Sequence, residues 1–166
     1  MIGTDLILFE EDARRLAVVL QRLCEDSKSR AVFLIDKAGQ LIASAGETAG
    51  LDTTSLASLT AGNIAATGGL AQLLGEKEFS VLFHEGEKDN LHISVVGQRG
   101  ILVVIFDRRS SLGLVRLRVK RAVEDIGQVF TEMAERTQQE AGRGRAAFQA
   151  QFAQISDDDI DNLFKS

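Results

Sequence analysis

The sequence of 166 residues has no proline, tyrosine or tryptophan, and Cys24 is its only cysteine. A single cysteine cannot form an internal disulfide, and its place in an apolar helical pattern predicts a core thiol. No apolar run approaches the ~20 residues that span a bilayer, so a transmembrane helix is not expected. The first 20 residues carry acids where a signal peptide needs a basic start, which predicts a cytoplasmic protein.

Several kinds of chemistry lack their usual residues. The net charge of −5 opposes nucleic-acid binding, and phenylalanine is the only aromatic residue that could stack on bases. His84 and His92 have no cysteine or carboxylate at ligand spacing, which argues against a metal site. The sequence contains no G-x-x-x-x-G-K-[ST] loop, no G-x-G-x-x-G after a strand and no G-x-S-x-G elbow. We therefore expect neither a cofactor nor an active site of its own.

Hydrophobic periodicity and glycine-containing turns predict an α+β domain with an antiparallel sheet. The run "ILVVIF" is apolar at every position, so its strand should lie at the centre of the sheet. The predicted elements are a helix at Glu10–Asp26, strands at Ala31–Ile35 and Leu41–Ala45, a helix at Ser55–Leu74, strands at Phe79–His84, Leu91–Val96 and Ile101–Phe106, and a long helix capped by Ser110 or Ser111.

The amphipathic stripe of the last helix fades near residue 137, so the predicted domain covers residues 1–137. Residues 138–153 are dominated by glutamine, alanine, glycine and arginine and have no hydrophobic period, which predicts a flexible linker. Residues 154–166 have a different pattern and are predicted to form a partner-binding helix.

The helix at Ser55–Leu74 has two unlike sides. On a helical wheel, one side is rich in leucine and is expected to pack on the sheet; it carries Leu56, Leu59, Leu70, Leu73 and Leu74. The other side is uncharged and, except for one glutamine, small; it carries Ser58, Ala61, Gly62, Ala65, Gly68, Gly69 and Gln72. Each interior glycine costs about 1 kcal/mol of helix stability against alanine. Because small residues let another backbone approach closely, this side is predicted to bind a partner, a second copy of the chain, or both. The alternatives are that Gly68 and Gly69 end the helix or that a loop of the same chain covers it.

The C-terminal residues carry a set of helix-start signals. Ser156 as N-cap places Asp159 at the third helical position, a variant of the capping box, and Ile155 can meet Ile160 as a hydrophobic staple. Ile160, Leu163 and Phe164 then share one face. A helix this short is not stable alone in water, so docking on a partner is favoured over docking on its own domain.

Two groups of basic residues invite a functional interpretation. The cluster at Arg116–Arg121 is interrupted by leucine and valine, so a solvated helix face is favoured over a polyanion site. Arg99, Arg108 and Arg109 could each act in trans as an arginine finger, although nothing in their spacing favours this role.

The order of elements, with the segments "VFLIDKAGQLIASAG", "DTTSLASLTAGNIAATGGLAQLLGE", "FHEG", "VVIFD", "SLGLVRLRVKRA" and "ISDDDIDNLF", resembles the roadblock/longin-type superfamily, and within it bacterial gliding-motility regulators. The resemblance implies a five-stranded sheet with the central helix on one face and the two terminal helices on the other. It also implies a homodimer in which the edge strand Phe79–His84 pairs across the interface through Phe79, Val81 and Phe83.

The resemblance further implies a partner, a Ras-like small GTPase of the MglA type. The protein would act as a GTPase-activating protein without an arginine finger, by remodelling the switch regions of the GTPase. Its C-terminal segment would contact the GTPase and aid nucleotide exchange, and its setting would be bacterial cell polarity and motility, at a cell pole. A non-activating scaffold of the same fold is the main alternative, and an enzyme acting on a small molecule is a third.

Overall fold

The computed structural model describes residues 8–153. Three helices and five strands alternate in the predicted order, α-β-β-α-β-β-β-α. They are α1 (Glu10–Asp26), β1 (Ala31–Asp36), β2 (Leu41–Gly46), α2 (Thr53–Leu74), β3 (Val81–Glu85), β4 (Asn90–Val96), β5 (Gly100–Phe106) and α3 (Leu112–Ala153).

The strands form one antiparallel sheet in the order β2-β1-β5-β4-β3. β5 is the central strand and all of its residues are buried, as its unbroken apolar run predicts. β3 lies at one edge and pairs only with β4. The β1–β2 connection turns at Gly39, whose φ of 93° favours glycine.

Helices cover both faces of the sheet. On one face α2 contributes Ala57 to a buried cluster whose other members are the strand residues Ala31, Phe33, Ile35, Ile93, Ile101, Val103 and Ile105. Alternate residues of the strands point to the other face, where α1 and the first part of α3 lie side by side. There a Cβ at Gly100 would lie 2.6 Å from the Phe130 ring of α3. The predicted layering of one helix against two is confirmed.

The helix ends follow the capping signals of the sequence. Asp52 caps α2, because its carboxylate accepts the N–H of Ser55 at 3.1 Å. α2 runs without a break through Gly68 and Gly69 and ends at Leu74, followed by Gly75 as its C-cap in the left-handed conformation with φ 75°. Ser111 accepts the N–H of Leu114 and caps α3.

The prediction of a flexible linker at residues 138–153 is wrong, because α3 continues as a helix to Ala153. Residues 138–153 are exposed throughout. Alanine, glutamine, glutamate and arginine are strong helix formers, and extending an existing helix needs no new nucleus. An apolar stripe is therefore not required for this segment to be helical. The described chain divides into two compact units, residues 8–130 and residues 131–153.

Candidate functional site

The outward surface of α2 combines small residues with leucines. Most of the predicted binding side is exposed, at positions spaced by three or four residues: Ser58, Gly62, Ala65, Gly69 and Gln72. We call these five residues the small-residue strip. Ala61 and Gly68, predicted to belong to it, are turned toward the domain and are half-buried, and Ala61 packs against the core cluster.

The prediction that the leucines of α2 pack on the sheet is wrong for all but Leu56, which is half-buried against the core cluster. The others are exposed by more than half, at 74% for Leu59, 57% for Leu70, 83% for Leu73 and 71% for Leu74. The residues of α2 that are buried are instead Ala57, Thr60 and Ala71.

The reason for this reversal is a close approach between α2 and the β1–β2 turn at Gly39. A Cβ on Gly39 would lie 3.3 Å from the Cα of Ser58 and 3.8 Å from the carbonyl oxygen of Ala57. Side chains as small as alanine fill the narrow space that such an approach leaves, so the leucines must lie elsewhere. Hydrophobicity alone predicts that these leucines are buried, which is wrong. The lack of any charged residue from Thr53 to Leu74 is the signal that could have indicated an apolar outer surface.

The glycines of α2 have no role in the packing of the described chain. A Cβ added to Gly62, Gly68 or Gly69 would meet no atom within 4 Å, and none of the three has a positive φ. This differs from Gly46, where a Cβ would lie 2.5 Å from the carbonyl oxygen of Arg30. Within the described chain, then, alanine would fit at all three α2 positions.

The edge strand β3 presents a second exposed apolar surface. Val81 and Phe83, predicted as dimer-interface residues, are 47% and 37% exposed. The inner side of Phe83 stacks on Phe106, with ring centroids 6.1 Å apart. Phe79 was predicted to lie in this strand, but β3 begins two residues later at Val81, and Phe79 precedes it, half-buried. The strand begins late because pairing with β4 starts there, Val81 facing Ser94.

Among the arginines that could have served as a finger, Arg109 is held by neighbouring carboxylates. Its guanidinium donates to both oxygens of Asp107 and to Glu47 at 3.0–3.2 Å. The hydrogen bond from Arg109 is the main cause that lowers the pKa of each of these two carboxyl groups. Arg30 extends the network with ion pairs to Glu47 and Asp89. Arg109 is nevertheless exposed, as are Arg99 and Arg108.

Of the remaining reactive side chains, Cys24 and His92 are buried and His84 is exposed. Cys24 is 7% exposed, as predicted for a core thiol, and burial raises its pKa. His84 and His92 lie on neighbouring strands, but His84 is paired in register with Leu91 and not with His92. Because side chains alternate along a strand, the rings of the two histidines point to opposite faces of the sheet. Within residues 8–153, no group of three histidine, cysteine or acidic side chains is arranged to hold a metal ion. No helix of this part of the chain is long and apolar enough to cross a membrane.

The predicted tail residues lie outside the described part of the chain. These are Ile155, Asp159, Ile160, Leu163 and Phe164. They remain a prediction from the sequence, as does the partner-binding role of the small-residue strip.

Comparisons with known proteins agree with this fold. The Roadblock/LC7 domain profile matches residues 15–106. The structure of Myxococcus xanthus MglB is 55% identical, with a TM-score of 0.73 over 77% of this chain and 96% of that one. The gliding protein MglB of Thermus thermophilus is 34% identical, with a TM-score of 0.72 over 77% of this chain and 97% of that one.

A third structure, of MglB in a tetrameric arrangement, is 33% identical, with a TM-score of 0.73 over 78% of this chain and 97% of that one. No curated protein sequence matches significantly. The family profile covers more than half of the chain. The matched residues include all five strands of the sheet, α2 and most of α1. The chain therefore belongs to the roadblock/LC7 family and resembles the MglB proteins within it.

Proposed function

We propose that this protein regulates a Ras-like small GTPase of the MglA type, as a GTPase-activating protein without an arginine finger. It has no active site of its own and acts in the cytoplasm, in bacterial cell polarity and gliding motility. Support comes from its similarity to the MglB proteins, one of which is described as a gliding protein.

The observation that carries the proposal is the exposed surface of α2. This helix of 22 residues has no charged side chain, and four of its leucines are more than half exposed. Soluble proteins rarely leave a contiguous apolar surface of this kind in water unless it binds another molecule. Glycines that the domain itself does not need are consistent with close approach by a partner.

The two flanks of α2 suggest a division between two partners. Asn63 faces β3, since its side chain hydrogen-bonds to His84. Leu59, Leu70 and Leu74 share the side of Asn63 at helical spacing. We call this side the leucine flank, and it lies on the side of α2 that is nearest the edge strand β3. We assign the leucine flank and the edge strand, with Val81 and Phe83, to a second copy of the chain. The tetrameric arrangement of an MglB relative supports self-association in this group.

The small-residue strip lies on the other flank of α2, nearer the β1–β2 turn, where Gly39 approaches Ser58. It would stay free when a second copy covers the leucine flank. We assign it to the GTPase. The C-terminal residues Ile155, Asp159, Ile160, Leu163 and Phe164 supply a second contact with the GTPase and aid nucleotide exchange.

The finger-free mechanism is supported by the state of Arg109. Its guanidinium is engaged by Asp107 and Glu47, and moving it to a γ-phosphate would break these charge-assisted bonds. Activation would instead come from docking, which holds the switch regions of the GTPase so that its own residues reach the phosphate.

A hydrolysis assay tests the proposal. The GTPase is incubated with GTP, with and without the full chain, and phosphate release is compared with complex formation. Faster hydrolysis in the presence of the chain supports an activator. Binding with unchanged turnover would leave only the scaffold, and no binding in either nucleotide state would contradict the whole proposal. A form lacking residues 154–166 should stay dimeric but bind or exchange more weakly.

A further inference from the structure

A groove of about 540 Å³ lies between the edge strand β3, its neighbour β4 and the first part of α3. It is on the sheet face opposite α2, so it is separate from the small-residue strip. We call it the β3–α3 groove. Its apolar walls include Val81 of β3 and Val119 and Val123 of α3, and Val81 is 47% exposed.

The charged rim of the groove is basic. Arg116 and Lys120 are one helical turn apart on α3, both are exposed, and both line the groove. Neither has an ion pair with a carboxylate in the described part of the chain. Glu124 also lines the groove, but its carboxylate is not within ion-pair distance of Lys120, one turn away. The groove therefore offers two uncompensated cations beside an apolar wall.

Its floor contains a buried polar side chain with spare capacity. His92 is 2% exposed, and its Nδ1 lies 3.3 Å from the hydroxyl of Ser94. Its Nε2 has no hydrogen-bond partner among residues 8–153. A polar atom of a ligand, or a water, in the groove would complete the bonding of this ring.

The sequence of the chain itself contains a matching segment. Residues 154–166 carry Asp157, Asp158, Asp159 and Asp161 against the single cation Lys165. The apolar side chains of Ile160 and Leu163 follow directly after the acids. Acids followed by an apolar face match a basic rim above valine walls, which is the pattern of a helix bound in a groove.

We infer that, in the absence of the GTPase to which the same residues are assigned above, the β3–α3 groove binds residues 154–166 of a second copy of this chain. The second copy is favoured because Val81 belongs both to the groove and to the edge strand assigned to the dimer. The choice of copy rests on the proposed homodimer, whereas the choice of groove does not.

Paramagnetic relaxation in the full-length protein tests the inference. A nitroxide is attached at Ser166→Cys, where it reacts selectively because Cys24 is buried. The nitroxide-carrying protein, at natural isotope abundance, is mixed with ¹⁵N-enriched protein that carries no nitroxide. The amide signals of Val81, Val119 and Val123 should lose intensity in proportion to the fraction of ¹⁵N-labelled chains that are paired with a nitroxide-carrying chain, while those of Ala65 and Gly69 on α2 should not.

Charge reversal supplies the specificity test. Arg116→Glu with Lys120→Glu should restore the intensity of the groove signals. Combining this pair with Asp157→Lys, Asp158→Lys and Asp159→Lys reverses both sets of charges and should reduce the intensity again. Arg118→Glu is the matched control, because Arg118 is on the same helix but lines a different groove, against α1. The control should leave the signal loss as in the unmodified chain.

Sedimentation measured on the same samples separates this inference from the proposed dimer. A dimer whose groove signals are unaffected by the label would overturn the groove assignment alone. Signal loss only when label and isotope are in one chain would overturn the second copy as the source. A monomer would overturn both the proposed dimer and the second copy.

Discussion

The side chain of Asn63 on α2 lies 3.0 Å from Nε2 of His84 on β3, at the point where the helix passes the edge of the sheet. This contact joins the two elements that carry the proposed interfaces. The hydrogen bond links the helix directly to the edge strand.

The pair should show a measurable coupling. Asn63→Ala and His84→Ala should each lower the free energy of unfolding, and the double variant should lose less than the sum. The expected coupling is about 0.5–1 kcal/mol, because the bond is solvent-exposed. Urea unfolding of the four proteins measures it. Gln98 is exposed in the turn between β4 and β5, so Asn63→Ala combined with Gln98→Ala should be additive. Additivity in the Asn63–His84 cycle would contradict a coupling between helix and strand.

Charges placed on the small-residue strip should block the GTPase. Ala65→Arg with Gly69→Arg puts two long cations on an exposed, uncharged flank, so binding should fall by at least a hundredfold while the far-ultraviolet circular dichroism is unchanged. Isothermal titration with the GTPase measures the affinity. Val18→Arg with Leu117→Arg is the control, since these exposed apolar residues lie on α1 and α3. Unaltered binding by the strip variant would place the site elsewhere.

The glycines of α2 should be replaceable as far as the fold is concerned. Gly62→Ala and Gly69→Ala should each raise the free energy of unfolding by about 0.5–1 kcal/mol, because open space surrounds each Cβ and helix propensity improves. Gly46→Ala should do the opposite, since its φ is 87° and its Cβ would meet the Arg30 carbonyl. Thermal unfolding compares them. A concentration-dependent loss of stability in the α2 variants would mean that a second copy, and not the GTPase, covers the strip.

Removing single arginines should leave stimulated GTP hydrolysis within severalfold of the unmodified protein. Alanine at Arg99, Arg108 or Arg109 tests each candidate, in a single-turnover assay. Arg109→Ala should instead lower stability, because Asp107 and Glu47 would lose their shared partner. A fall near the ~10³-fold typical of a lost arginine finger would rule out the finger-free mechanism.

Stability should decrease in mild acid because of His92. Burial, and then the positive charge of Arg116, lower the pKa of this ring in the folded protein. The unfolded chain takes up the proton near the ordinary pKa of about 6.5, so stability is complete above that pH and falls as the pH drops toward the lowered folded value. The loss cannot exceed about 1.4 kcal/mol per pH unit for one proton.

Urea unfolding between pH 7.5 and pH 5 checks this expectation. His92→Gln should flatten the decline, and the comparison of slopes is valid even if the variant is less stable overall. Equal slopes in the unmodified protein and the His92→Gln variant would show that His92 does not cause the decline.

Much of the architecture follows from local pattern. α1 was predicted at the observed bounds, Glu10–Asp26, because its apolar period is strong and its sides are clearly different. β5 was placed at the centre of the sheet because an apolar run must be covered on both faces. These features depend on residues close together in sequence.

The orientation of α2 could not be predicted in the same way. Leucine is usually buried, but how near a helix lies to a sheet depends on the strands below it, and here Gly39 lets the backbone of α2 come close. The extent of α3 was missed for a related reason. Residues 138–153 lack an apolar stripe because they are exposed, and exposure alone does not distinguish a solvated helix from a loop.

The lack of charge on α2 has a consequence for the kinetics of association. Opposite charges speed protein encounters by attracting partners over a distance, and the strip cannot do this. Its association rate constant should therefore lie near the ~10⁵–10⁶ M⁻¹s⁻¹ of uncharged surfaces and change little with ionic strength. Differences in affinity between GTPase states would then arise from how long each complex lasts, and the dissociation rate would decide which nucleotide state is retained.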